Sequence, residues 1–165
     1  MPEFEHVLKG RKVLLLELCA HNYKIIREFR NKRFVRKYLI NTAQVSKAEH
    51  DSWYEQYIND ETKKMYLIMY EGASVGYVHL KDIDCEKGTC EIGIVIGNRK
   101  YRRKGAASDS IITLLDFISR SFTINTISAH IIRQNKASIG LFESMGFKRI
   151  PSPTPLYLYE KRTSE

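Results

Sequence analysis

Arg102-Arg103-Lys104-Gly105-Ala106-Ala107 is the stretch on which the reading of this chain turns. An apolar run, Ile92-Gly93-Ile94-Val95-Ile96-Gly97, precedes it, and Ile111, Leu114, Leu115 and Ile118 follow at helical spacing. A strand, a tight turn at Gly105 and then a helix are therefore predicted. The first N–H groups of a helix have no intrahelical partner, and the aligned peptide dipoles make that end electropositive. Such a corner suits a phosphate or pyrophosphate. The basic cluster Arg99, Lys100, Arg102, Arg103 and Lys104 strengthens it. Two other phosphate loops are excluded. The triphosphate loop places Lys directly after its second Gly, whereas Ala106 follows Gly105, and the dinucleotide fingerprint needs further Gly residues that do not stand at the required offsets. For this segment alone, a solvated basic loop remains the plain alternative.

A second segment runs Asn135-Lys136-Ala137-Ser138-Ile139-Gly140-Leu141-Phe142-Glu143-Ser144-Met145-Gly146-Phe147. Together the two segments resemble the GNAT superfamily of acetyl-CoA-dependent N-acetyltransferases. That family's phosphate loop reads Gln/Arg-x-x-Gly-x-Gly/Ala, met here by Arg102, Gly105 and Ala107. Its second motif, N-x-x-A/S-x-x-F/L-Y/F-x-x-x-G-F, is met from Asn135 through Phe147. Cys90-Glu91-Ile92-Gly93 stands where the family's fourth strand often begins Ala-Glu-Ile-Gly. The strand-to-loop stretch is one residue longer than usual. The resemblance covers about residues 12–160. It implies a mixed α/β (α+β) fold with a mostly antiparallel sheet of about seven strands and four helices. In that fold the fourth and fifth strands splay apart, and the pantetheine arm of the coenzyme enters between them.

Size and composition agree with one N-acetyltransferase domain over 1–165. The chain is 43% hydrophobic and 28% charged, as ordinary globular domains are. No apolar run approaches the ~20 residues of a membrane-spanning helix. Met1-Pro2-Glu3-Phe4-Glu5 lacks the features of a signal peptide. Cys19, Cys85 and Cys90 lack C-x-x-C spacing, as expected of thiols in a reducing compartment, so a cytoplasmic protein is expected. The net charge of +8, from 27 Lys plus Arg against 19 Asp plus Glu, favours anionic partners. Coenzyme A, nucleotide sugars and nucleic acid all qualify. Nucleic acid is set aside because the ten Tyr fall mostly within predicted strands and helices and do not form a stacking surface. The five His show no shared metal-ligand spacing, so no metal is expected.

Turns and periodicity give the layout. Residues 1–10 read as an extended lead-in and 13–16 as a first strand. Asn22 opens a helix to about residue 30. Ser46-Lys47-Ala48-Glu49 is a capping-box pattern that opens a second helix, ending near 59. Strands follow at 64–70, 74–81 and 89–96. A long helix spans 105–122, a strand 126–132 and a last helix 137–145, with Gly146 at its C′ position. Strands at 148–150 and 156–160 flank Pro151, Pro153 and Pro155, which remove ladder donors from the connection. Residues 161–165 are expected to fray.

Acetyl transfer to an amine needs a neutral nitrogen, a polarised thioester carbonyl and a proton for the departing thiolate. The resemblance implies Glu91 as the base, since several members carry a glutamate there; the plain alternative is a cross-strand ion pair. Backbone along Ile94, Val95 and Ile96 would meet the pantetheine arm and the thioester carbonyl. Arg102, Arg103, Lys104, Gly105, Ala106 and Ala107 would hold the pyrophosphate. Asn135, Ser138 and Phe142 would lie along the coenzyme, with helix capping as an alternative role for Asn135. In many members the Phe142 position is Tyr, whose hydroxyl protonates the thiolate; Phe has no proton to give, so no essential acid is expected there. Arg30-Asn31, Val35 and the Ser46–His50–Trp53 spacing look most like enzymes acting on a nucleotide-linked 4-amino sugar. That likeness would make Arg30, Asn31, His50 and Trp53 acceptor-binding residues; a packed Trp53 with a partly buried His50 is the plain alternative for that pair. A protein N-terminus, a small amine such as a polyamine or antibiotic, and a catalytically silent coenzyme A-binding module stay open beside it. A homodimer is neither selected nor excluded.

Overall fold

The computed structural model describes residues 6–164, so Met1–Glu5 of the expected lead-in and Glu165 of the expected tail lie outside it. The described chain runs β1 (Val7–Lys9), β2 (Val13–Glu17), α1 (Tyr23–Asn31), α2 (Arg33–Arg36), α3 (Lys47–Tyr57), β3 (Lys64–Tyr70), β4 (Ala73–Asp84) and β5 (Thr89–Ile96). It continues with α4 (Ala106–Ser121), β6 (Thr126–Ile131), α5 (Lys136–Ser144), β7 (Lys148–Ile150) and β8 (Tyr157–Arg162). The strands form one sheet in the order β1-β2-β3-β4-β5-β6-β8-β7. Every neighbouring pair is antiparallel except β5 with β6. A parallel pair needs a long crossover, and α4 supplies it. The family's fourth and fifth strands correspond to β5 and β6 here.

Three expectations are corrected. Part of the lead-in is a strand, because Val7–Lys9 pairs with Leu14–Leu16; three residues are too few to show a period. A short helix, α2, follows α1 and buries Val35. The stretch 161–162 belongs to β8, pairing Arg162 with Thr126, instead of fraying. Asn22 does precede α1, but its side chain makes no cap bond. It closes the preceding turn, accepting from Cys19 N at 2.9 Å and donating to Glu17 O at 3.0 Å. The capping box of α3 forms as read, with Glu49 N donating to Ser46 Oγ at 3.2 Å and Ser46 N donating to Glu49 Oε2 at 2.7 Å.

Helices cover both faces of the sheet. Ile111, Leu114 and Ile118 of α4 are fully buried against Val13, Ile68, Val78, Leu80 and Ile92. Each such side chain contributes roughly 2 kcal/mol through removal from water. On the opposite face Ile26 and Phe29 of α1 and Tyr57 of α3 pack on Leu18, Leu67 and Tyr77. Asp109 is also buried, at the first turn of α4. Its carboxylate accepts from the backbone of Arg11 at 3.3 Å, Lys12 at 2.7 Å and Val13 at 3.0 Å. The β1–β2 turn is thereby fastened to the first turn of α4.

Candidate active site

The parallel register between β5 and β6 pairs Thr89 with Thr126, Cys90 with Ile127 and Glu91 with Ser128. Beyond Glu91 the two strands part. The C-terminal half of β5 is left without a β6 partner, and a cleft of about 440 Å³ opens beside it. Ile94, Val95 and Ile96 form one wall, Asn135, Ala137, Ser138, Leu141 and Ser144 another. Tyr101, Arg102, Arg103 and Ser108 close one end, and Val35, Tyr38 and Leu39 cover the cleft from the side of α2. None of these side chains is acidic.

The loop into α4 makes the corner expected from its sequence. Gly105 holds φ +87° at the N-cap, a left-handed conformation that L side chains rarely adopt, and Arg103 also has positive φ, at 60°. The first helical bond runs from Asp109 N to Gly105 O at 3.0 Å. The N–H groups of Gly105, Ala106, Ala107 and Ser108 therefore have no acceptor inside the helix. Tyr70 braces the loop by donating its hydroxyl to Lys104 O at 3.4 Å. The guanidiniums of Arg99 and Arg102 lie over the Phe34 ring, 4.4 and 4.8 Å from its centre. Burial, with the neighbouring Arg99 charge, lowers the Arg102 pKa. Bare amides flanked by guanidiniums suit a phosphate group, and an apolar wall with free strand backbone suits an extended amide-bearing arm.

Asn135 caps α5, accepting from Ser138 N at 3.2 Å and donating to Ser138 Oγ at 2.9 Å. Both residues line the cleft. Phe142 does not. It is 2% exposed and meets Phe147 edge to face at 5.0 Å, inside the core. Glu91 lies at the last paired rung, its carboxylate 3.0 Å from Lys81 Nζ and 3.0 Å from His130 Nδ1. This is the ion-pair arrangement given as its alternative reading, and it stands at the head of the parting strands.

The four residues read as acceptor-binding are engaged elsewhere. Arg30 donates to the carbonyls of Ala43 and Asn41, and Asn31 exchanges two bonds with the backbone of Val45. They order the loop between α2 and α3. His50 is buried, with Nε2 2.8 Å from Tyr23 O, and stacks between Tyr23 and Trp53. None of the four lines the cleft. Tyr38, Leu39, Ser108, Ala137 and Leu141 do, without having been singled out. The chain just after α2 brings the first two there, and no local pattern signals that.

No helix among the described residues is long and apolar enough to cross a membrane, and no cluster of His, Cys, Asp and Glu there is suited to a metal. A mouse alpha/beta-tubulin-N-acetyltransferase 9 is 23% identical over 160 residues, covering 87% of this chain and 65% of that protein. The spermidine N(1)-acetyltransferase of Escherichia coli K12 is 22% identical over 141 residues, covering 84% of this chain and 74% of that protein. This chain thus spans less than two thirds of the mouse protein's length. Among solved structures, the ribosomal L7/L12 alpha-N-protein acetyltransferase RimL with coenzyme A superposes with a TM-score of 0.83 at 16% identity, over 95% of this chain and 98% of that one. The Vibrio cholerae spermidine N-acetyltransferase with coenzyme A and spermine gives 0.82 at 20%, over 93% and 96%. The sequence profile of the acetyltransferase (GNAT) domain matches residues 12–148, from the start of β2 into β7, and by that match the chain belongs to the GNAT family of acetyltransferases.

Proposed function

We propose that this protein moves an acetyl group from acetyl-CoA to a primary amine by direct attack in a ternary complex, and that the acceptor is the N-terminal amine of a peptide or protein. The parting of β5 from β6, directly beside an amide-lined corner, carries this conclusion. The amides of residues 105–108, with Arg102 and Arg103, hold the pyrophosphate. The β5 backbone from Ile94 to Ile96 pairs with the pantetheine arm and presents an N–H to the thioester oxygen. Asn135 and Ser138 flank the arm from the end of α5.

An amine arriving as an ammonium must first lose a proton. Glu91 takes it, directly or through a water, and the half-exposed His130 beside it leads that proton to solvent.

A polyamine is a poorer fit. It needs carboxylates to meet its charges, whereas the charged residues lining the cleft are Arg102 and Arg103. A peptide amine brings one charge and an otherwise neutral backbone. RimL, whose fold this chain shares, is described as acting on a protein N-terminus. The nucleotide-linked amino sugar, preferred on sequence spacing, loses its footing because Arg30, Asn31, His50 and Trp53 serve the fold. None of the relatives named above is described as acting on such a sugar.

Calorimetry with acetyl-CoA, followed by turnover assays with an alanyl or seryl peptide, spermidine and a nucleotide amino sugar, tests the assignment. Peptide acetylation well above the other two is expected. Coenzyme binding without turnover of any amine would make the protein a silent binding module instead.

A further inference from the structure

Two basic stretches of the sequence, Lys32 to Lys37 and Arg99 to Lys104, meet at one aromatic ring. Phe34 of α2 carries the guanidiniums of Arg99 and Arg102 at 4.4 and 4.8 Å from its centre. A guanidinium stacks well on a ring, because it is planar and weakly hydrated. Two on one ring also repel each other, and no carboxylate cancels the repulsion. Among the described residues, neither Arg99 nor Arg102 has an acidic group within ion-pair distance. Arg27, Arg30 and Arg36, on α1 and α2, instead direct their guanidiniums to backbone carbonyls.

Burial first, and then the Arg99 charge, lower the Arg102 pKa, while the Tyr38 phenol acts the other way. Such a pair is unsatisfied until an anion lies against it. Its position decides which anion. Arg102 lines the end of the cleft, beside the loop whose bare amides suit a pyrophosphate. Arg99 is not a lining residue and reaches the same ring from outside. The pair therefore stands next to the amide-lined corner, where a second anionic group on the same ligand would fall. A second ring, Tyr157, holds Arg133 at 5.1 Å and Arg149 at 4.6 Å in a similar manner, but none of these three residues lines the cleft. Of the two pairs, the one on Phe34 adjoins it.

Coenzyme A brings such a group. Beyond its pyrophosphate lies a ribose bearing a 3′-phosphate, a monoester with a charge of about −1.5 to −2 at pH 7. A guanidinium fork offers paired N–H donors to phosphate oxygens, and two forks can share one phosphate. Resting on the acetyl-CoA reading of the cleft, we infer that Arg99 and Arg102, held on the Phe34 ring, bind the ribose 3′-phosphate of coenzyme A, so that the protein distinguishes the coenzyme from its dephosphorylated form. Arg102 stands between the two phosphate positions and serves both. Phe34 is a positioning residue, which touches no phosphate and fixes the two forks. The same helix supplies Val35 to the cleft wall, so one short element borders both the coenzyme's outer end and its arm.

Calorimetry with coenzyme A and 3′-dephospho-coenzyme A tests this. The parent should bind coenzyme A about 10-fold or more tightly than the dephosphorylated form, the range of a charge-assisted hydrogen bond. Arg99→Gln should lose most of that preference by weakening coenzyme A, with 3′-dephospho-coenzyme A held within about twofold of the parent. Phe34→Leu should move the same way, since the forks lose their platform while an apolar side chain remains. Arg149→Gln, on the other ring, should keep the preference in full. A parent without the preference overturns the inference, as does an Arg99→Gln variant that weakens both ligands alike. So does an Arg149→Gln loss as large as that of Arg99→Gln, which would reduce the effect to net charge. If Arg99→Gln keeps the preference but abolishes binding of adenosine 5′-monophosphate to the coenzyme-loaded protein, the seat belongs to an acceptor and the inference falls. In each of these cases the coenzyme still binds the parent. If neither coenzyme binds it, the reading of the cleft falls and takes the inference with it.

Discussion

The carboxylate of Asp109 accepts the backbone N–H of Lys12 at 2.7 Å, and so joins the turn after β1 to the first turn of α4, 97 residues away in sequence. The same carboxylate also takes the N–H groups of Arg11 and Val13. Its negative charge sits at the positive end of the helix. Asp109→Ala strips three donors of their acceptor in a buried place. A loss on the order of 3 kcal/mol is expected, because each buried unsatisfied donor costs about 1 kcal/mol or more. The denaturant midpoint should fall with an unchanged slope, and a midpoint equal to the parent's would refute the bracing role.

Gly105→Asp puts a side chain where φ is +87° and a negative charge where phosphate is to lie. The backbone strain alone amounts to about 1–3 kcal/mol. With repulsion added, coenzyme A affinity should drop about 100-fold or more by calorimetry. An affinity within threefold of the parent, about 0.7 kcal/mol, would place the pyrophosphate elsewhere.

Glu91→Gln keeps the shape of the side chain but gives up its charge toward Lys81 and His130. Turnover at neutral pH should fall by about 100-fold, with coenzyme affinity preserved. Unchanged turnover would leave Glu91 as a sheet ion-pair residue and nothing more.

Phe142→Tyr restores the hydroxyl that many family members carry at this position. Here the ring lies in the core against Phe147, 2% exposed. A hydroxyl without a partner there should cost about 1–3 kcal/mol. No gain in kcat is expected, and a gain would show that the ring turns toward the cleft.

The His79 ring also gives a pH prediction. Its pKa is depressed in the fold to about 4, from 6.5. The unfolded chain therefore binds the extra proton first as pH falls. Its stabilising contribution is full above pH 6.5 and fades between about 6.5 and 4. His79→Gln should flatten the pH dependence of thermal melting across that window. An unaltered profile would mean that the ring titrates normally.

Much of this architecture was readable beforehand, and for identifiable reasons. The bounds of β3, β5 and β7 match the expected 64–70, 89–96 and 148–150, because Gly72, Gly88 and the prolines after Ile150 punctuate them. Ser46 and Glu49 announced α3 through a local exchange of bonds. The elements that the sequence does not signal depend on distant partners. β1 exists through its pairing with β2, and α2 through the burial of Val35. The left-handed Gly105 turn that opens α4 is a local motif, and the sequence shows it. The wall formed by Val35, Tyr38 and Leu39 is made by packing across the fold. The bonds of Arg30 and Asn31 are hidden in the sequence for a similar reason. A sequence displays donors, but not the backbone carbonyls of Asn41, Ala43 and Val45 that take them up.

Among the described residues the sheet is bounded by β1 and β7, each three residues long. One carries Lys9, the other Lys148 and Arg149. Rims so brief and so cationic make a poor seed for another copy's main chain to dock against. The fold thus discourages runaway fibre growth along its hydrogen-bonding direction.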